Sequence, residues 1–216
     1  MISKKNLIFL GAPGAGKGTG ANGLTEREPL VHISTGDILR AEVKNGTELG
    51  KTAAVLMKKG ELVPDEIVAG MVKSRLGQHD CDNGFILDGF PRTIKQAELL
   101  EDALEEINKT IDAVIYFDIS DDILLKRLTA RISCRECGRI YNKLFLPPKK
   151  ENTCDNCDVE LFQRPDDSLE TAKDRLEVFY ESTQPLINYY RSKNLLTSIT
   201  EIERDAMIAA LFKELG

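Results

Sequence analysis

Directly after the apolar run Asn6–Leu10, the chain reads Gly11-Ala12-Pro13-Gly14-Ala15-Gly16-Lys17-Gly18-Thr19-Gly20. Successive glycines let backbone N–H groups curl into a concavity that suits an anion, and a helix starting there points its positive end at the same place. A chain of phosphates fits such a nest, with Lys17 neutralising its outer oxygens. A plain strand-to-helix turn needs neither that many glycines nor a lysine. The general phosphate-loop pattern has Ser or Thr immediately after Gly-Lys; here Gly18 stands there and the hydroxyl comes one residue late, at Thr19.

Three further groups have types and spacings that suit chemistry. Asp88 ends the apolar run 85–88, and a carboxylate at the C-terminal end of a strand beside a phosphate loop is placed to organise magnesium. In 121–132, read as one helix, Arg127 and Arg131 fall at i and i+4 on one face. Their guanidinium groups would stabilise the equatorial oxygens of a phosphoryl group in transit, with no protein nucleophile. Taken alone, such a pair is more often solvated surface. Four of the five cysteines form Cys134-x2-Cys137-x16-Cys154-x2-Cys157. That spacing suits tetrahedral four-thiolate zinc, and a full set of thiolates leaves no open position, so the site reads as structural. The competing reading is a zinc ribbon that holds nucleic acid. Asp155 and Asp158 beside the ligands, and a net charge of −6, oppose it.

These groups must be held by elements, and the apolar runs at 6–10, 31–33, 85–88, 113–118 and 195–199 alternate with helical patterns. That rhythm predicts an α/β protein with a five-stranded parallel sheet covered on both faces. Ser34 to Asp37 has the spacing of a capping box and starts a helix to about Lys44. Asp167 and Glu170 repeat the arrangement ahead of a stripe formed by Leu169, Ala172, Leu176, Phe179 and Tyr180, and Pro185 should kink or end that helix. Segments 34–63 and 130–167 break the rhythm and read as insertions, leaving a discontinuous core of 1–33, 64–129 and 168–216. No apolar run approaches the roughly 20 residues of a membrane span, and the start lacks a signal-cleavage pattern. The expectation is a cytoplasmic enzyme.

The loop Gly-x-Pro-Gly-x-Gly-Lys-Gly-Thr resembles that of the adenylate kinases, in which Gly after the lysine is normal. The segments 32–40, 61–66 and 84–93 resemble other motifs of that family, in the family's order. The resemblance implies a P-loop three-layer fold, with 34–63 as an AMP-binding insertion and 130–167 as a zinc-bearing lid that closes over ATP. It implies reversible transfer of a phosphoryl group from magnesium-bound ATP to AMP, giving two ADP. On the ATP side it implies Gly14, Ala15, Gly16, Lys17, Gly18, Thr19, Arg131, Ile140 and Tyr141, with a backbone contact near Glu203. On the AMP side it implies Thr35, Arg40, Glu61, Leu62, Val63, Gly89, Phe90, Pro91, Arg92 and an adenine-reading Gln96, with Arg164 and Arg175. The catalytic set it implies is Lys17, Asp88, Arg92, Arg127, Arg131, Arg164 and Arg175, with structural Zn2+ on the four cysteines and Mg2+ arriving with ATP. A monomer without nucleic-acid or membrane partners is expected. The alternatives are a kinase for CMP, UMP or GMP, whose short-lid forms lack room for the 16-residue connector, and a nucleotide-gated zinc-ribbon protein without catalysis.

One residue departs from the family pattern: Gly20 stands where Gln is usual, lowering helix propensity by about 1 kcal/mol relative to Ala. Cys81, His32 and His79 match no motif, and read as a lone buried thiol and surface histidines.

Overall fold

Strands β1 (Asn6–Leu10), β2 (Val31–Ser34), β3 (Phe85–Asp88), β4 (Ala113–Phe117) and β8 (Leu196–Ile199) pair as one parallel sheet in the order β2-β3-β1-β4-β8. The computed structural model describes residues 2–216. Strand residues alternate between the two faces. Leu7 and Phe9 join the core cluster with helices α1 (Lys17–Thr25) and α9 (Arg204–Leu215), whereas Ile8 and Leu10 join the one with α4 (Asp65–Leu76), α5 (Ile94–Glu106) and α8 (Pro185–Ser192). The order in which strands are added switches sides at β1, whose neighbours β3 and β4 lie on opposite sides, so a crevice opens beyond its C-terminal end. Among the described residues, no helix is long and apolar enough to cross a membrane.

The glycine at position 20 has a packing reason. A Cβ there would lie 3.0 Å from Leu211 Cδ1 and 3.1 Å from Phe117 Cζ, and both side chains are almost fully buried. Neighbouring residues already fill the space a side chain would need. Gly20→Gln should therefore lower stability by about 1–3 kcal/mol through overpacking, despite better helix propensity. Chemical denaturation checks this, and an unchanged or raised midpoint would contradict it.

Two pieces stand out from the sheet. Helices α2 (Thr35–Asn45) and α3 (Glu48–Lys59) follow β2, and their close approach depends on Gly50, where a Cβ would meet the Glu42 carbonyl oxygen at 2.1 Å. Strands β5 (Arg131–Cys134), β6 (Ile140–Asn142) and β7 (Leu161–Phe162) form a separate antiparallel sheet in the order β6-β5-β7. They sit between α6 (Asp121–Thr129) and α7 (Leu169–Val178).

Two expectations need correction. The helix read over 121–132 stops at Thr129, so Arg127 and Arg131 do not share a helix face; Arg131 opens β5, where pairing with β6 takes over its backbone bonds. The cap of α7 is Ser168, whose Oγ accepts from Thr171 N–H at 3.2 Å, because the Asp167 side chain turns inward to arginines instead. As expected, the helical run that starts with α7 breaks just before Pro185. The stretch Phe179–Thr183 widens into a π-helical turn, and Pro185 sits in the first turn of α8, where its missing N–H costs nothing.

Candidate active site

The loop between β1 and α1 bends through left-handed backbone at Gly14 (φ 86°) and Gly16 (φ 103°), conformations that favour glycine. Helix α1 begins without a side-chain cap, so its first-turn N–H groups are available to a ligand. Lys17 Nζ donates back to the carbonyls of Gly11 (2.6 Å) and Ala12 (3.0 Å). Burial brings its ammonium down to about 8; Asp88 opposes the fall, while Arg92, Arg175 and Arg131 add to it.

Asp88 ends β3 beside the loop, and its Oδ2 lies 3.5 Å from where a Gly18 Cβ would be. Burial pushes its carboxyl up, but a hydrogen bond from His32 and the charges of Lys17, His32 and Arg92 outweigh this and hold it below the usual carboxylate range. His32, expected at the surface, is therefore a partner of Asp88, with Nε2 3.2 Å from Oδ2. Cys81 is buried and His79 exposed, as expected.

A second cavity lies on the α2–α3 side. Its lining includes Thr35, Arg40, Glu61, Leu62, Val63 and Gly89, together with Arg92, Gln96 and Arg175. Thr35 Oγ1 donates to the Gly89 carbonyl at 2.9 Å, Arg92 Nε donates to the same carbonyl at 2.8 Å, and Arg40 pairs with Asp37. Phe90 is buried under the turn, while Pro91 reaches the larger cleft that also holds Thr19.

Between the two pockets the chain gathers cations. Arg131 is clamped on Asp167, with Nε donating to Oδ2 at 2.8 Å, and Arg175 donates to Asp166 Oδ2 at 2.8 Å and Asp167 Oδ1 at 3.4 Å. Arg164 donates through Nε only to the neutral Ser133 Oγ at 3.1 Å among its side-chain hydrogen bonds described. Burial first, then the charges of Arg131 and Arg40, bring its guanidinium down to about 9; burial and Arg131 bring Arg175 down to about 10. A guanidinium stays protonated at working pH, so the downward direction of both shifts marks the gathering of these cations as unfavourable in the absence of an anion. Asp166 and Asp167, both buried, hold the cluster together. The sequence reading gave them no site role, and the one available signal was two adjacent carboxylates following Arg164-Pro165.

Arg127 approaches from α6, donating to the Ala15 carbonyl at 3.1 Å and lying 5.4 Å from the Phe145 ring centroid. Ile140 is half-buried and lines the cleft. Tyr141 also contributes to the lining, but its ring is 2% exposed and its hydroxyl sits 3.6 Å from Cys154 Sγ, so the ring belongs to the interior of the small sheet. Glu203 lies at the cleft edge, where its carbonyl accepts from Met207 N–H at 2.9 Å.

The four paired cysteines come together, with Sγ atoms all within 4.8 Å of one another. Their two knuckles are built alike. Cys134 N–H donates to Arg139 O and Gly138 N–H to Cys134 O; Cys154 N–H donates to Val159 O and Asp158 N–H to Cys154 O. Left-handed residues, Gly138 and Asp158, close the two turns. Burial pushes the Cys154 thiol up, but bonds from Asn156 N–H, the Tyr141 hydroxyl and Cys157 N–H outweigh it and bring it to about 6. Its neighbours move the other way: burial raises the Cys134 thiol, and the hydrogen bond with Cys137 raises Cys157 to about 12.

A parallel sheet with a glycine loop at its reversal point and buried cations around the crevice defines a P-loop phosphotransferase. Comparison with known proteins makes this specific. The family model described as "Adenylate kinase" matches residues 9–195. Adenylate kinases similar to this chain include that of Archaeoglobus fulgidus, 55% identical over 194 residues covering 90% of this chain and 89% of the relative. That of Caldicellulosiruptor saccharolyticus is 53% identical over 211 residues, 97% and 98% of the two chains. That of Bacillus pumilus is 51% identical over 194 residues, 90% and 89%. The chain belongs to the adenylate kinase family.

Proposed function

We propose that the chain transfers the terminal phosphoryl group of magnesium-bound ATP to AMP, reversibly, giving two ADP. The observation that carries this reading is the convergence of Lys17, Arg92, Arg131, Arg164 and Arg175 on one cleft, beside an uncapped helix start and a second cavity large in polar groups. In the proposed complex, Gly14 to Thr19, with Lys17 among them, hold the ATP phosphates, and Arg127, Ile140 and Glu203 lie on the nucleoside side, whereas the buried Tyr141 ring supports the small sheet. Thr35, Arg40, Glu61, Leu62, Val63 and the turn Gly89 to Arg92 hold AMP, and Gln96 reads its base. Arg131, Arg164 and Arg175 neutralise charge around the transferred group. Phosphoryl transfer needs positioning and charge stabilisation more than covalent help, and these groups supply both.

Asp88, an ionised carboxylate beside the loop, fits as the group that would organise magnesium arriving with ATP, whose charge would help to neutralise the phosphates. The four thiols fit structural zinc, with no open position for chemistry. Segment 34–63 acts as the AMP-binding insertion and 130–167 as a lid. Their closure would keep water from accepting the phosphoryl group.

The reading is tested by mixing ATP and Mg2+ with AMP, CMP, UMP or GMP and measuring diphosphate. AMP should be strongly preferred; equal use of the four would sink the assignment. Lys17 adds a pH signature. Its charge is present below about 8 and lost above, so kcat/KM for ATP should be flat up to about pH 8 and then fall as pH rises. For stability the sign is opposite. The penalty of burying the ammonium is complete below about 8 and is relieved as pH rises toward the ordinary lysine value. A kcat/KM profile that stays flat well beyond pH 9 would contradict the role given to Lys17.

A further inference from the structure

We propose that Asp65 is a specificity-determining positioning residue, fixing the Gln96 side-chain amide in the one orientation that accepts an amino group and donates to a ring nitrogen. The inference rests on the reading of the α2–α3 cavity as the AMP site, with Gln96 facing the base.

Gln96 is 2% exposed and lines that cavity, whereas Asp65, at the start of α4, lies behind it. Gln96 Nε2 donates to Asp65 Oδ1 at 2.8 Å, and Gln96 Oε1 accepts from the Arg92 backbone N–H at 2.8 Å. The second Asp65 oxygen accepts from Thr93 Oγ1 at 3.0 Å, which in turn accepts from Gln96 N–H at 3.1 Å. Amide oxygen and nitrogen look alike in shape, but these partners do not. A backbone N–H can only donate and an ionised carboxylate can only accept, so the two together determine which end of the amide is which. Flipping it would set Oε1 against the carboxylate and Nε2 against the Arg92 N–H.

One N–H and one oxygen lone pair remain on the amide for a ligand. Adenine offers an exocyclic amino donor at C6 next to ring-nitrogen acceptors, which matches them. Hypoxanthine and guanine carry a carbonyl at C6, which would meet Oε1 as acceptor against acceptor. Rejection of a 6-oxo purine therefore depends on the amide being unable to turn, and Asp65 supplies the charge-assisted half of that constraint. The Arg92 N–H supplies the other half but belongs to the backbone of the turn.

The test compares AMP with IMP as phosphoryl acceptor. Asp65→Ser keeps a small polar residue in the first turn of α4 yet is too short to reach the amide; Asp65→Asn keeps an acceptor oxygen at the same distance. The Ser variant should raise KM for AMP and lower the AMP:IMP preference in kcat/KM by about tenfold, with KM for ATP unchanged, and the Asn variant should restore most of the preference. A Ser variant that melts lower yet keeps the wild-type AMP:IMP ratio would show a structural role only and overturn the proposal. So would an Asn variant that loses preference as fully as Ser. Gln96→Leu separates the proposal from the reading beneath it. If that variant keeps full preference, Gln96 does not read the base at all; if it loses preference while Asp65→Ser does not, only the role of Asp65 fails.

Discussion

Arg164→Met is expected to lower kcat by about 10²- to 10³-fold while raising the melting temperature of the unliganded protein by about 2–4 °C, the equivalent of roughly 1 kcal/mol in a chain of this size. The two effects come from one cause. Arg164 is 7% exposed, its guanidinium is brought down to about 9 by burial and by Arg131 and Arg40, and its Nε bond goes to a neutral hydroxyl. Without an anion in the cleft, that charge is a net cost. Met has a similar unbranched stem and fills irregular space without a charge, so the resting protein gains. With a phosphoryl group in transit the same guanidinium becomes a fixed counter-charge, and its removal weakens the transition state. Scanning calorimetry and steady-state kinetics on one sample check both halves. A variant that melts lower, or one that keeps wild-type kcat, would show that Arg164 serves the fold instead.

This trade explains which parts of the site were legible in the sequence. The turn of the glycine loop was, because left-handed backbone conformations call for a local run of glycines, and Gly14 and Gly16 do adopt them. The paired cysteines were, because each knuckle is closed within six residues. The five strands were, because a buried parallel sheet writes continuous apolar runs. What could not be read was the partnering of charges across the chain. Asp167 looked like a helix cap because Glu170 follows it at capping distance, yet its true partners are Arg131 and Arg175, and Ser168 does the capping. Arg131 looked helical because α6 carries its pattern up to Thr129; pairing with β6 decided otherwise. His32 and Asp65 gave no signal, since their partners Asp88 and Gln96 lie 56 and 31 residues away. The Gly20 departure was visible, but its reason, the space taken by Phe117 and Leu211, required the fold.

Cys134→Ser should lower the melting temperature by about 8–16 °C, corresponding to roughly 4 kcal/mol, while leaving appreciable turnover at low temperature. The small sheet has little else to hold it: its buried cluster consists of Ile132, Cys134, Tyr141, Cys154 and Leu161, two of which are themselves candidate metal ligands. A core of that size does not sustain an independent unit without a staple. Serine occupies nearly the same space, but its hydroxyl is protonated at neutral pH and is a poor partner for zinc beside thiolates. The loss should therefore be one of metal affinity and not of packing. A chelator separates these, since it should bring the wild-type melting temperature down toward that of the variant and leave the variant almost unmoved. The arginines proposed to face the transferred group are anchored outside the cysteine cluster: Arg131 and Arg175 are held on Asp166 and Asp167, at the base of the small sheet. Below the lowered melting point they should still be in place, so activity should persist there. Complete loss of activity with an unchanged melting temperature would mean that the metal takes part in the reaction itself.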